Sequence, residues 1–391
     1  MSRFRSAGLL AGLLALGTAV SCAGCGSSGG PATASPAATP PAAAAAEPAY
    51  SEATSKATWA VLPMGASSGP NEFWQLFLLT TGRPQWALDT PPDIATNGAL
   101  ELAGLSGASI VTGVRPSLYL AFSPVSLSAD GGQEWAAGPP AQRLADVPDA
   151  LAATPGGGHL LALDEAGEAS STTSAGTAWT PLVTEHALAS TAAGRACGLT
   201  QLTAVAYSPA GVQLLAGDCG EPGVAGIFTA SAGGWHAAGP MLPPALASSR
   251  IRVLRLVTTS GQTTALLLAV SGSHADVVSA WLGADGAWTI SAPLSIGAAS
   301  VRTTAFGASG AVAAVLSSGH GEILTGPGGS WQQTPLVPAG RAVTIALPAD
   351  GQVDALAATG GVLTVWQLGD AAAQWTKAQT VKVPIQYGSS S

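Results

Sequence analysis

The chain has 391 residues, a net charge of −8 and a mean hydropathy of +0.36, and only 9% of its residues are charged. So few lysines and arginines exclude the basic surface that nucleic-acid binding requires, and the hydropathy excludes disorder of the whole chain. The length predicts two or three domains, or one large β architecture.

The first 21 residues have the pattern of a signal peptide. Two arginines precede an apolar run over residues 7–20, which is too short to span a bilayer. The small residues before Cys22 resemble the lipobox of bacterial lipoproteins. This resemblance implies cleavage before Cys22, lipid attachment there and an extracytoplasmic protein held at the cell membrane. Cys25 is the alternative acylation site, and plain secretion after Ser21 is the alternative outcome.

Residues 22–54 are rich in Gly, Ser, Pro and Ala and contain almost no bulky side chains. Such a segment buries too little surface to offset the entropy of ordering it, so it is predicted to be a disordered tether. Residues 55–391 are then the folded domain.

Cys197 and Cys219 are the only cysteines beyond the tether. In an exported chain such a pair favours a disulfide. Two predicted strands, 202–208 and 212–218, are joined by a Pro-Ala-Gly turn, and antiparallel pairing brings the two cysteines together at the base of this hairpin. A metal-binding or nucleophilic role is the alternative, but no His or further Cys stands at ligand spacing nearby.

Tryptophan recurs through the domain with a period of about 48 residues. The repeated positions are Trp86, Trp135, Trp179, Trp235, Trp288, Trp331 and Trp375. Most are followed closely by proline, and each unit contains short β-branched runs separated by Gly or Pro. A period of this length with four short strands per unit is typical of a β-propeller.

Seven such units predict a seven-bladed β-propeller, with six or eight blades and a β-sandwich as the alternatives. In the unit that ends at Trp288, the predicted strands are 251–258, 263–270, 275–282 and 287–290. The first unit shows only three strands, so the C-terminal segment 381–387 is predicted to supply the missing one and close the ring. No stretch after residue 55 has the 3.6-residue period of an amphipathic helix, so we expect the domain to contain almost no helix.

One unit carries a motif of the form Ser-x-Asp-x-Gly-x-x-Trp, made by Ser128, Asp130, Gly132 and Trp135. It resembles the Asp-box, or bacterial neuraminidase repeat, of sialidase-like propellers. The resemblance implies a hairpin turn between the two outer strands of a blade. Carboxylate capping of turn amides, a glycine at positive φ and a packed indole fit that structural role. The four residues are therefore expected to be structural rather than catalytic.

Catalytic machinery is not evident in the sequence. A sialidase of the resembled family requires a cluster of arginines and a Tyr–Glu pair, whereas the arginines here are scattered about one per unit. A Gly-x-Ser-x-Gly match at residues 65–69 lacks the following helix that a nucleophile elbow needs. The histidines stand at no metal-ligand spacing. No catalytic residue, metal or cofactor is predicted.

Arg250 and Arg252 are the candidate ligand contacts. They share one face of a predicted inner strand by the period of two, near one mouth of the ring, where they would meet an anionic ligand. A solvated strand start is the alternative interpretation.

The sequence thus predicts a monomeric, lipid-anchored propeller that acts as a non-catalytic binding module for a protein or an envelope glycan. The alternatives are a glycoside hydrolase or lyase of the sialidase-like type and a scaffold factor of the cell envelope.

Overall fold

The structure is a computed structural model that describes residues 49–65, 72–91, 100–104, 109–114, 125–139, 144–145, 150–173, 178–349, 351–369 and 374–384. The predicted signal peptide, Cys22, Cys25 and the predicted tether up to residue 48 lie outside the described residues.

The described strands pair antiparallel in chain order in groups of four, which we call blades 1 to 7, and blades 1 and 6 are joined along their inner strands into one eight-stranded sheet. Blade 1 comprises β1 (Tyr50–Ala53), β2 (Ala57–Gly65), β3 (Glu72–Thr80) and β4 (Ala87–Leu88). Blade 2 comprises β5 (Leu100–Gly104), β6 (Ile110–Val114), β7 (Val125–Ser128) and β8 (Ala136–Ala137). Blade 3 comprises β9 (Leu151–Ala153), β10 (His159–Leu163), β11 (Glu168–Thr173) and β12 (Thr180–Thr184).

The remaining four blades follow the same order. Blade 4 comprises β13 (Leu199–Tyr207), β14 (Gln213–Cys219), β15 (Gly226–Ser231) and β16 (Gly234–Ala237). Blade 5 comprises β17 (Arg250–Thr259), β18 (Gln262–Ser271), β19 (His274–Leu282) and β20 (Trp288–Ile290), and β21 (Leu294–Gly297) also pairs with β19. Blade 6 comprises β22 (Val301–Phe306), β23 (Val312–Leu316), β24 (His320–Leu324) and β25 (Trp331–Leu336). Blade 7 comprises β26 (Ala342–Ala346), β27 (Val353–Thr359), β28 (Val362–Leu368) and β29 (Trp375–Lys382).

Neighbouring blades share clusters of buried apolar side chains. Trp59 and Ile110 belong to the cluster between blades 1 and 2, and Phe77 and Leu356 to the cluster between blades 1 and 7. Further clusters join blades 2 to 4, 4 to 5, 5 to 6 and 6 to 7. Because the contact between blades 7 and 1 completes the series, the sheets form a closed ring. The predicted all-β propeller fold is confirmed, and strand pairing among the described residues gives seven blades.

The tryptophan repeat marks the fourth strands, as predicted from its spacing. Three of these indoles donate a hydrogen bond from Nε1 to a backbone carbonyl at the outer end of the preceding blade. The pairs are Trp288 with Ala238 (2.7 Å), Trp331 with Ala292 (3.1 Å) and Trp375 with Pro335 (3.3 Å). The repeat therefore encodes a contact between blades as well as packing within one.

Strand boundaries were well predicted where the repeat is regular. The four strands predicted for the unit that ends at Trp288 agree with β17 to β20 to within one residue at each end. Gly and Pro separate these runs, so their ends were visible in the sequence.

The first blade is completed by its own N-terminal strand, and the prediction that segment 381–387 completes it was wrong. β1 pairs antiparallel with β2 and, along its other edge, parallel with β22 of blade 6. β1 thus lies inside the ring across the inner end of blade 7, where Ser51 Oγ donates to the carbonyl oxygen of Ile345 at 2.7 Å. Lys382 instead pairs with Val362 as the last residue of β29. The folded part therefore begins before residue 55, inside the predicted tether.

The ring is also closed on its outer side. The side-chain amide of Gln379 in β29 donates to the carbonyl oxygen of Trp86 and accepts from its backbone N–H, both at 2.8 Å. The indole of Trp86 donates to Asp354 Oδ2 of β27 at 2.8 Å. These three hydrogen bonds join blade 7 to blade 1 in addition to the shared core.

Two short helices between blades 3 and 4 were not predicted. They are α1 (Glu185–Ala189) and α2 (Ala192–Cys197). Thr184 and Thr191 cap their N-termini by accepting bonds from the backbone N–H groups of Ala187 and Gly194. At five and six residues they are too short to produce a helical period in the sequence.

Candidate functional site

The centre of the ring contains part of the protein's own chain. Strand β1 occupies it, and all four residues of that strand are buried. Among the described residues, a cavity of about 20 Å³ lies beside it, lined by inner-strand residues that include Glu52, Gly104, Ala152 and Val257. This is room for about one water molecule and too little for a sugar or a peptide.

A buried ion pair holds β1 to blade 5. Arg255 Nη2 donates to Glu52 Oε1 at 2.7 Å, and both side chains are at most 3% exposed. Arg255 Nη1 donates to Thr304 Oγ1 at 3.1 Å, and the guanidinium carbon lies 4.4 Å from the centre of the Tyr50 ring. A charge buried this deeply is tolerated only when it is paired and hydrogen-bonded, so the channel strand and Arg255 depend on each other.

A β-bulge places Arg255 on the same face of β17 as Arg250 and Arg252. The three arginines of β17 stand opposite alternate residues of β18, because the register shifts by one between Val253 and Arg255. Strict alternation would have placed Arg255 on the opposite face. Arg250 and Arg252 do share a face and are exposed at the start of the strand.

Arg252 forms an ion pair at the surface. Its Nε lies 3.2 Å from Asp218 Oδ2, and the two side chains are 53% and 22% exposed. Exposed pairs of this kind contribute about 0–1 kcal/mol. Arg250 and Arg252 therefore remain candidate contacts for an anionic group, as the sequence predicted.

The disulfide between Cys197 and Cys219 is confirmed, with its Cα atoms 5.2 Å apart. It ties the last residue of α2 to the last residue of β14, next to Asp218. The carbonyl oxygen of Cys197 also accepts from the backbone N–H of Glu221 at 3.0 Å. On the chain-entropy description, closing this loop stabilises the fold by roughly 3 kcal/mol. We call residues 185–197, Asp218, Arg250 and Arg252 the insertion face.

The turn between β7 and β8 is a compact hydrogen-bonded unit. Ser128 Oγ donates to Asp130 Oδ1 at 2.9 Å and accepts from the N–H of Gly132 at 2.7 Å. Asp130 Oδ1 also accepts from the N–H of Glu134 at 3.0 Å. These bonds, the one from Glu134 first and that from Ser128 next, lower the pKa of Asp130 below its ordinary value. The indole of Trp135 packs against the core between blades 1 and 2, so every member of the turn is used structurally.

Asp89 of blade 1 faces this turn. Gly132 has a φ of +91°, and a Cβ built on it would lie 1.7 Å from Asp89 Oδ2, so this position requires glycine. Burial, and to a lesser extent the negative charge of Asp130, raise the pKa of Asp89 to about 7. The contact between blades 1 and 2 therefore contains a carboxyl group that titrates near neutral pH.

Metal binding finds no support in the described part of the chain, where no three His, Cys, Asp or Glu side chains come together as ligands. The longest described helix has six residues, against the roughly 20 that a bilayer-spanning helix needs. Most of the Gly-x-Ser-x-Gly match at residues 65–69 lies outside the described residues.

The sequence interpretation missed Glu52, because its segment was assigned to the tether. One signal was available: Tyr50 is the first aromatic residue after the Ala- and Pro-rich stretch, and a bulky side chain there is atypical of a flexible linker.

No family model and no curated protein matches this sequence. Solved structures do match it. A GH74 xyloglucanase from Xanthomonas campestris aligns with a TM-score of 0.51 and 13% identity, over 84% of this chain and 54% of that chain. The β-propeller domain of Cps50 (Swd1) from Myceliophteria thermophila aligns with a TM-score of 0.50 and 12% identity, over 84% and 98%. YCF48 from Cyanidioschyzon merolae aligns with a TM-score of 0.46 and 16% identity, over 82% and 94%. The chain is a β-propeller. At these identities the likeness extends to the fold alone.

Removing one partner of the buried ion pair should destabilise this propeller strongly. Glu52→Gln and Arg255→Met each remove one charge of the pair and leave the other in the interior without this partner, and we expect each to lower the free energy of unfolding by about 3 kcal/mol. The double variant removes both charges and should lose less than the sum. Urea denaturation of the four proteins measures this coupling, and additive losses would contradict the pairing.

The stability of the protein should depend on the protonation of Asp89. Its folded pKa of about 7 lies above the ordinary value of 3.8, so the folded state binds the proton more tightly than the unfolded state. Stability is then lost as the pH rises from about 4 to 7. Asp89→Asn cannot ionise and should become progressively more stable than the wild type over that range. Thermal unfolding at several pH values tests this, with the exposed-site variant Glu221→Gln as a control that should track the wild type.

Proposed function

We propose that the chain is an extracytoplasmic, lipid-anchored propeller that binds a protein or an envelope glycan and catalyses no reaction. The observation that carries the proposal is the buried strand at the centre of the ring. Strand β1 occupies the central space, and Glu52 neutralises Arg255, the one buried arginine among the described residues. Ligand recognition is therefore assigned to the outer surfaces of the ring.

The insertion face is the surface that best fits this role. It combines two helices, a disulfide that fixes them to blade 4, and the exposed side chains of Arg250 and Arg252. A face that is rigid before binding loses little conformational entropy on binding. Its exposed guanidinium groups favour partners that carry carboxylate or phosphate groups.

The finer assignments rest on the sequence patterns and on compatible geometry. We infer that Ser128, Asp130, Gly132 and Trp135 form an Asp-box, because the serine and the carboxylate cap the turn amides as that motif requires. An exported location accords with the disulfide between Cys197 and Cys219, since such bonds persist in oxidising compartments. Cys22 is the proposed site of the lipid.

Incubation with glycosides tests the absence of catalysis. The purified protein, given chromogenic sialyl, glucosyl and galactosyl glycosides and xyloglucan, is expected to release no product above the buffer rate. Xyloglucan is included because a xyloglucanase shares the fold. Turnover that survives purification and is lost on substitution of a carboxylate of this chain would refute a purely binding role.

Cell fractionation tests the anchor. With the whole chain expressed in a bacterial host that acylates lipoproteins, Cys22→Ala should move the protein from the membrane fraction to the medium, because it removes the site of the acyl chains. Cys25→Ala is the matched control and should stay with the membrane. Membrane retention of the Cys22 variant would rule out this anchor.

A further inference from the structure

The connection from β16 to β17 is an apolar segment at the surface. Residues 237–247, which we call the apolar loop, read Ala-Ala-Gly-Pro-Met-Leu-Pro-Pro-Ala-Leu-Ala and contain no polar side chain. Met241 is 92% exposed, the highest value among the large apolar residues that the structure describes, and Pro244, Ala245 and Ala247 are exposed in the same loop. Exposed apolar residues that follow one another in this way mark a contact with a protein or a membrane.

The backbone of the apolar loop is fixed by the rest of the ring. The carbonyl oxygen of Ala238 accepts from Trp288 Nε1 at 2.7 Å, and Met241 forms an antiparallel bridge with Val224. Leu246 is 2% exposed and belongs to the core shared by blades 4 and 5. A partner that covers Met241 therefore gains the free energy of burying its side chain without first having to order the loop.

The apolar loop lies at the end of the ring at which the inner strands begin. It leads directly into β17, which runs in the same direction as β13. Near the start of the two strands Thr203 Oγ1 donates to the carbonyl oxygen of Val253, and near their ends Thr258 Oγ1 donates to that of Tyr207. β1 is likewise parallel to β22, so its N-terminal end points to this same end of the ring, which we call the entry face.

The predicted lipid site precedes the entry face by a short length of chain. Cys22 stands 27 positions before Ala49, the first described residue. A Gly- and Ser-rich chain of that length spans about 30 Å on average. An acyl group on Cys22 would therefore hold the ring near the bilayer by the end that carries the apolar loop.

Leu336 adds a second exposed apolar side chain to the entry face. It is 61% exposed and ends β25, and in a four-stranded antiparallel blade the fourth strand ends where the first begins. Because Leu336 belongs to blade 6 and the apolar loop joins blades 4 and 5, a flat surface such as a bilayer can contact both.

Two cations adjoin the apolar loop. Arg250 and Arg252 follow it on β17 and are exposed, and Arg252 is also paired with Asp218. Guanidinium groups donate readily to phosphate oxygens, such as those of lipid head groups. The net charge of −8 opposes a general attraction to anionic lipids, so the contact depends on these local groups and is expected on zwitterionic lipid.

We propose that the entry face rests on the membrane surface, with Met241 among the lipid head groups and Arg250 and Arg252 at the level of the phosphates. This inference rests on the lipid anchor of the proposed function and gives the anchored ring an orientation. It also restricts the partner, because a ligand of the neighbouring insertion face must then lie at the membrane surface.

Photolabelling from lipid to protein tests this orientation. The acylated whole chain is reconstituted into phosphatidylcholine vesicles that contain a phosphatidylcholine with a diazirine near the top of its acyl chain, irradiated, digested and mapped by mass spectrometry. Lipid adducts should concentrate in residues 237–247. Met241→Asp should lower the adducts in this loop about fivefold, because a carboxylate replaces the buried apolar group. Met241→Leu keeps an apolar side chain and should label as the wild type does.

Val212→Asp is the matched control. Val212 is 39% exposed in the turn between β13 and β14, at the opposite end of the ring, so this variant should leave the labelling of the apolar loop unchanged. The inference is overturned if the protein stays with the vesicles but the loop carries no more adducts than the turn at Val212, or if Met241→Asp labels as the wild type does. Both results leave the anchor intact. If the acylated protein does not sediment with the vesicles at all, the proposed anchor fails and this inference fails with it.

Discussion

The buried pair between Arg255 and Glu52 is the interaction on which the interior of this ring depends. A guanidinium that is 1% exposed requires an anion beside it, and the anion comes from a strand only four residues long. That strand completes blade 1 along one edge and pairs with blade 6 along the other. One short segment thus neutralises a charge, fills the channel and covers the inner end of blade 7.

The outer part of the ring is organised by the repeated indoles. Where Trp288, Trp331 and Trp375 donate to the preceding blade, the contact between blades is both packed and hydrogen-bonded. At Trp179 the same residue type has a buried N–H that finds no acceptor among the described residues. A regular repeat makes such a departure informative, because the structural use of the residue is known from its equivalents.

In the function proposed above, recognition falls to surfaces that are already rigid, because β1 lies at the centre of a closed ring. The disulfide and the backbone bond to the carbonyl oxygen of Cys197 hold the helical insertion beside Asp218. Binding at such surfaces orders few additional side chains, so little of the interaction energy is lost to conformational entropy. Asp89 lies beside the turn at Asp130 where blades 1 and 2 meet, and burial together with the charge of Asp130 makes ionisation of the Asp89 carboxyl group unfavourable there.

The amino-acid sequence by itself determined the fold class, the blade spacing, the strand ends in the regular units and the disulfide. The signals for these features are the period of the tryptophans, the Gly and Pro residues between the strands and the number of cysteines, and all of them can be read directly along the chain. The shared face of Arg250 and Arg252 followed from alternation in the same way. Only the tertiary structure decided that Tyr50–Ala53 lies inside the ring, that a bulge turns Arg255 onto the face of the other arginines, and that the Trp179 N–H has no acceptor among the described residues. Each of these features depends on which residues from distant parts of the chain come into contact. The sequence of a single strand or turn does not indicate which distant side chain will neutralise its charge or accept its hydrogen bond.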